Sequence, residues 1–89
     1  MTPENAEILA LQGLGWLAGE PEELQKFLDL SGVDLAGLRA AAGTPEMGVA
    51  ILDYLLGHEA LLLRFCDSAD VPPKDLHLAR HVLGGPDAG

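Results

Sequence analysis

Five residues carry the side chains with which so small a chain does chemistry: His58, Glu59, Cys66, His77 and His81. His58 and Glu59 are adjacent, and an imidazole beside a carboxylate is the pair that shuttles a proton in general acid–base catalysis. Cys66 is the single cysteine. A thiol becomes a nucleophile only as a thiolate, which requires a base or a helix N-terminus nearby. His77 and His81 are spaced i, i+4, so a helix sets them on one face as paired zinc ligands. A zinc site needs at least a third ligand, and the sequence holds neither an HExxH motif nor a cysteine pair. Cys66 or His58 could supply that ligand only through the fold. These five residues define the enzyme or metal-protein alternative.

Each also has a plainer structural role. Cys66 follows Phe65 late in a leucine-rich segment, where it reads as a small buried hydrophobe. His77 and His81 lie near the end of a helix, where a protonated imidazole suits the helix dipole. His58 stands where an N-cap belongs, although histidine caps poorly. The fragment GLGW, Gly13–Trp16, imitates part of a dinucleotide fingerprint, but no strand precedes it and the third glycine is missing. The expectation is therefore no catalytic residue, no metal and no cofactor.

The elements that must position these residues are set off by clear punctuation. Thr2 caps a first helix with Pro3 at its first position and Glu4 in its first turn, running to Ala18 before Gly19. Pro21, Glu22 and Glu23 open a second, ending at Ser31-Gly32. Asp34 caps a short third that ends at Gly43. Thr44-Pro45-Glu46 repeats the opening device for a fourth, which stops at Gly57. A fifth spans Glu59 to Ser68, Val71-Pro72-Pro73 breaks it, and a sixth runs from Pro73 to Leu83. Gly13 and Gly15 fall inside the first helix, where each costs about 1 kcal/mol relative to alanine. Close packing of another helix against Gly13 would account for one of them.

Composition agrees with helices. Eighteen leucines and few β-branched residues favour an all-α fold, and the aromatics are only Trp16, Phe27, Tyr54 and Phe65. A chain of this length makes one domain and buries about 60–65% of its unfolded surface. Residues 1–83 are expected to form that domain and 84–89 a flexible tail. Fourteen acids against five bases give a net charge of −9. Such a surface repels nucleic-acid phosphates and anionic lipid, so neither is an expected partner. The segment Val33–Leu56 imitates helix-turn-helix, but Met47–Leu56 offers no base-reading side chain beyond Asp53. A lone cysteine excludes an internal disulfide, the opening MTPEN is acidic where a signal peptide is basic, and no apolar run is long enough to span a membrane. These features point to the cytoplasm.

Shifting the chain by 38 residues aligns Trp16 with Tyr54, Gly19 with Gly57, Phe27 with Phe65, Asp29 with Asp67, Val33 with Val71 and Leu38 with Leu76. The sequence therefore predicts a compact all-α bundle of five or six short helices, built as two similar helix–helix–short-helix halves related by this internal repeat. Where the first copy has Glu22, Glu23 and Gln25, the second has Ala60, Leu61 and Leu63. The fifth helix then reads as apolar nearly all round, a central or interface helix, and the fourth almost as much so.

The stretches ENAEILALQGLGWLAGEPEELQKFLDLSGVDLAGLRAAAG and AILDYLLGHEALLLRFCD, with ALQxLGWLA, FLxLxG and LDxLLxxExLLLxFC as their specific features, resemble the bacterial family called domain of unknown function 3572. The likeness covers about Glu4 to Leu83. It implies a small cytoplasmic protein of one intact domain and brings no activity and no site residues.

Leu9 and Trp16 on one edge of the first helix, with Leu61 and Leu63 of the fifth, are the expected interaction patch, since apolar surface beyond what the fold covers marks a binding site. The function expected is a non-catalytic protein-interaction or regulatory module, its partner another protein or a second copy of the chain.

Overall fold

Local capping decides where the helices begin. In the computed structural model, which describes residues 1–84, Thr2 Oγ1 accepts a hydrogen bond from the Asn5 amide at 3.1 Å and Thr44 Oγ1 one from Met47 at 3.2 Å. Asp34 Oδ1 accepts from the Gly37 amide at 2.7 Å. Each satisfies an amide that the first helical turn leaves without a partner. The elements are α1 (Pro3–Ala18), α2 (Pro21–Ser31), α3 (Leu35–Ala41), α4 (Pro45–Leu56), α5 (Glu59–Ala69) and α6 (Pro73–Gly84). The described residues contain no strand. Helix α2 ends on Gly32 at φ 74°, a left-handed conformation that glycine adopts without strain. Of the expected tail, Gly84 belongs to α6 and the remainder lies outside the described residues.

Helix α4 is the centre of the bundle. It buries Met47, Gly48, Ile51, Leu52, Tyr54 and Leu55, and α1 and α6 both pack along it and against each other. Helices α2 and α5 cross this layer, and α3 lies against α4. The close approach of α1 to α4 explains Gly13. A β-carbon there would stand 3.2 Å from both Ile51 Cγ2 and Leu55 Cδ1, two buried side chains. A β-carbon at Gly15 would meet nothing within 4 Å.

Helix α5 departs from the expectation of an all-round apolar, central helix. It buries one face, Leu61, Leu62, Phe65 and Cys66, and leaves Ala60, Leu63, Arg64 and Asp67 in solvent. The residues that replaced the acids of α2 divide between the two faces, so α5 lies at the surface like α2. Ile8, Leu11, Leu30, Leu35, Leu63 and Leu78 remain exposed, each by at least 44%. The chain exposes 5170 Å², close to the roughly 5,000 Å² typical of a monomer of its mass.

The two halves agree in their hairpins. The α1–α2 corner passes through Gly19 (φ −86°, ψ 0°) and Glu20 (−123°, 82°). The α4–α5 corner repeats it through Gly57 (−81°, −5°) and His58 (−131°, 86°). Phe27 and Phe65 are 2% and 1% exposed. The third helices differ: α3 has 7 residues and lies on α4, whereas α6 has 12 and spans both α1 and α4. A repeat of whole halves is not confirmed; the likeness is one of hairpins.

The two glycines of α1 should respond oppositely to alanine. Gly15→Ala should raise stability by about 1 kcal/mol, the ordinary helix-propensity gain. Gly13→Ala should forfeit that gain by forcing a methyl group against Ile51 and Leu55. Chemical denaturation of the two variants measures the difference, and equal gains would contradict the α1–α4 packing.

Candidate functional site

The five residues of the catalytic or metal alternative are not drawn together. His58 is exposed at the α4–α5 corner, where its Nδ1 lies 2.7 Å from the Tyr54 carbonyl oxygen and so carries the proton it donates. Its ring tilts against that of Tyr54 with centroids 4.4 Å apart. Glu59 sits in the first turn of α5, facing the positive end of that helix, and shares no hydrogen bond with His58 among the described residues. Cys66 is buried. Burial, with the charge of Asp75 second, pushes its thiol above the ordinary 9.0, which opposes the thiolate a nucleophile needs. His77 and His81 are both exposed on α6. Among the described residues no three His, Cys, Asp or Glu side chains stand so as to hold a metal ion together.

The expected interaction patch is also dispersed. Leu9 and Leu61 belong to the core, and Trp16 is half-buried with its ring edge-on to Phe65 at 5.9 Å. Only Leu63 is freely exposed, at 50%. Leu9 is 6% exposed, on a helix that packs against both α4 and α6. Leu61 is buried because α5 turns it inward where α2 has Glu23.

A different surface is available between α2 and α4. Phe27, Ala50 and Tyr54 form the floor of a groove, and Leu30, Ser31, Asp53 and His58 form its edges. Leu30 is 70% exposed, the most of any large apolar side chain among the described residues. Its position could have been read from the sequence. Leu24, Phe27 and Leu28 make the inward i, i+3, i+4 stripe of α2, and Leu30 falls off it.

Aromatic packing fixes the floor. Phe27 and Tyr54 meet edge to face at 5.4 Å. The Tyr54 hydroxyl lies 3.3 Å from Glu23 Oε2 and 3.4 Å from the Glu23 carbonyl oxygen, to which it donates. Burial first, then the charge and hydrogen bond of Glu23, raise the phenol above its ordinary 10.0. At the edge, Arg80 Nε donates to Asp53 Oδ1 at 2.7 Å. Ser31 Oγ donates to the Leu28 carbonyl oxygen at 3.3 Å.

The corresponding place between α5 and α1 is occupied by the chain itself. There Trp16 and Phe65 take the parts of Tyr54 and Phe27. The Arg64 guanidinium lies 5.4 Å from the centre of the Trp16 ring and binds the Glu20 carboxylate. Ser68 stands where the first hairpin has Leu30. The two aromatic pairs differ in their neighbours: Arg64 lies over Trp16, whereas the exposed Leu30 stands beside the buried Phe27 and Tyr54.

Two outcomes follow. The Cys66 thiol is held protonated by folding, so its contribution is complete below its unfolded pKa and is lost as pH rises through the higher folded one. The melting temperature should fall as pH passes about 9, and Cys66→Ala should remove the first part of that fall in pH-dependent thermal melts. For His77 and His81, a double alanine variant should match the wild-type melt within about 0.5 kcal/mol with or without added zinc. A zinc-dependent difference between them would reveal ligation.

Comparison with known proteins adds a family and no function. No curated protein and no solved structure matches the chain. The model of the family described as Protein of unknown function (DUF3572) matches residues 3–86, nearly the whole chain, and the protein belongs to that family.

Proposed function

We propose that this protein is a non-catalytic, cytoplasmic interaction module that binds another protein through the groove between α2 and α4. The observation that carries this reading is Leu30, exposed at 70% on the edge of the groove lined by Phe27, Ala50 and Tyr54. An isolated exposed leucine is ordinary. A leucine at the lip of an apolar groove offers an anchor and a socket side by side, the arrangement on which binding energy concentrates. The chemical alternative built on His58, Glu59, Cys66, His77 and His81 lacks the shared geometry it requires. No helix among the described residues is long and apolar enough to cross a membrane. The buried, single thiol fits a reducing compartment.

The partner is either a different protein or a second copy, and one set of variants distinguishes them. Wild-type protein used as bait in its native cell should retain a partner that Leu30→Glu loses and Leu63→Glu keeps. Both sites are exposed, so both variants should fold, which circular dichroism checks. Sedimentation at micromolar concentration identifies a homodimer if wild type associates and Leu30→Glu does not. Equal capture by both variants would remove the groove from the function.

A further inference from the structure

We infer that the outer face of α1 is a contact surface for a second copy of this chain, packed antiparallel on the same helix about a two-fold axis. The helical period puts Ile8, Leu11, Gln12, Gly15 and Ala18 on that face, and all five are exposed. Ile8 and Leu11 keep 50% and 44% of their surface in solvent. Gly15 lies between them and the end of the helix, and packing within the chain does not account for it. The fold uses its other close-packed helix glycines to admit a neighbour: Gly13 lies against Ile51 and Leu55, and Gly48 against Ala10 and Leu83. A β-carbon at Gly15 would meet no described atom within 4 Å. Glycine is the least favourable helix residue after proline, so the cost at Gly15 is offset by nothing on its own side of the surface.

Charge and shape select a copy of the chain as the occupant. At a net charge of −9, two copies repel each other over most of their surface. Ile8 to Gly19 is the longest uncharged run in the sequence, so α1 presents the longest helical face on which two copies can meet without opposing like charges. That face is also self-complementary. Its N-terminal half is bulky, with Ile8 and Leu11, and its C-terminal half is small, with Gly15 and Ala18. A two-fold axis between Leu11 and Gln12 sets Ile8 of each copy over Gly15 of the other, with the helix dipoles opposed. A parallel pairing would stack Ile8 on Ile8 and leave a gap between the glycines. The contact runs along one helix of 16 residues. Such a strip, about 24 Å long and 10 Å wide, covers less than the roughly 800 Å² per partner of a standard interface. The dimer is therefore weak, with a dissociation constant of about 100 µM.

Sedimentation equilibrium of the full-length protein, at concentrations up to about 500 µM, tests the pairing. Wild type should dimerise, and more tightly as added salt screens the repulsion between copies. Gly15→Gln improves the helix and fills the notch. By thermal melt it should be at least as stable as wild type, yet associate at least about tenfold more weakly. Exchanging the two residues, Ile8→Gly with Gly15→Ile, moves bulk and notch together and should restore association. Leu30→Glu should dimerise like wild type, which separates this contact from the α2–α4 groove. A wild-type monomer at every concentration, a Gly15→Gln protein that dimerises unchanged, or an exchange variant that stays monomeric would overturn the α1 pairing. So would a dimer lost in Leu30→Glu, which would move the contact to the groove.

Discussion

The close contact of α1 with α4 is the constraint on which the remaining packing depends. It is made by removing side chains. Gly13 admits Ile51 and Leu55, and Gly48 lies against Ala10, where a β-carbon would come within 3.3 Å of the Ala10 methyl. Two helices that meet through glycine and alanine bring their backbones near enough to form a continuous platform. Helix α6 lies along that platform with Leu76 and Ala79 fully buried. Leu17, Leu52 and Leu55 are fully buried there, each contributing at about 25 cal/mol for each Å² removed from water. An aliphatic chain with four aromatics gains its core from this closeness rather than from bulky side chains.

The platform also sets the two grooves. Each hairpin turns through the same glycine corner and swings its second helix across the far end of the other hairpin. Phe27 of α2 therefore reaches Tyr54 of α4, and Phe65 of α5 reaches Trp16 of α1. The grooves share a plan and differ in a few side chains. Arg64 lies over Trp16 at one crossing; at the other Lys26 turns to Glu23 and Leu30 is exposed.

Much of the architecture was legible in the sequence because it is written in local rules. Thr2, Asp34 and Thr44 cap, Pro3, Pro21 and Pro45 begin, and Gly19, Gly32 and Gly57 end, so helix limits are set within a few residues of each signal. Which face of a helix is buried depends on neighbours distant in the chain. Leu9 and Trp16 look alike from within α1, yet the fold buries the first while Phe65 and Arg64 only partly cover the second. Leu61 and Leu63 differ only in the side of α5 that meets the core. Of the expected patch, Leu9 and Leu61 are buried for that reason and Leu63 stays exposed. Leu30 lies off the Leu24, Phe27 and Leu28 stripe of α2, and its place on the edge of a groove depends on where α4 meets that helix. The five chemical residues could be judged only by convergence, a property of the fold.

The exchanged aromatic pairs bear on how the chain acquires its structure. Neither hairpin completes its own core: Trp16 finds its ring partner only in the second half, and Phe27 finds its only there too. A hairpin formed early, as on the growing chain, buries little until the other arrives, so local helix formation is not rewarded until a long loop closes. Folding and unfolding should then proceed as one cooperative step, with no half-folded species held by its own contacts. The open groove lies at one of these crossings, between α2 of the first hairpin and α4 of the second. It exists only in the fully assembled molecule, so a partner bound there would recognise completion of the fold as well as the side chains that line it.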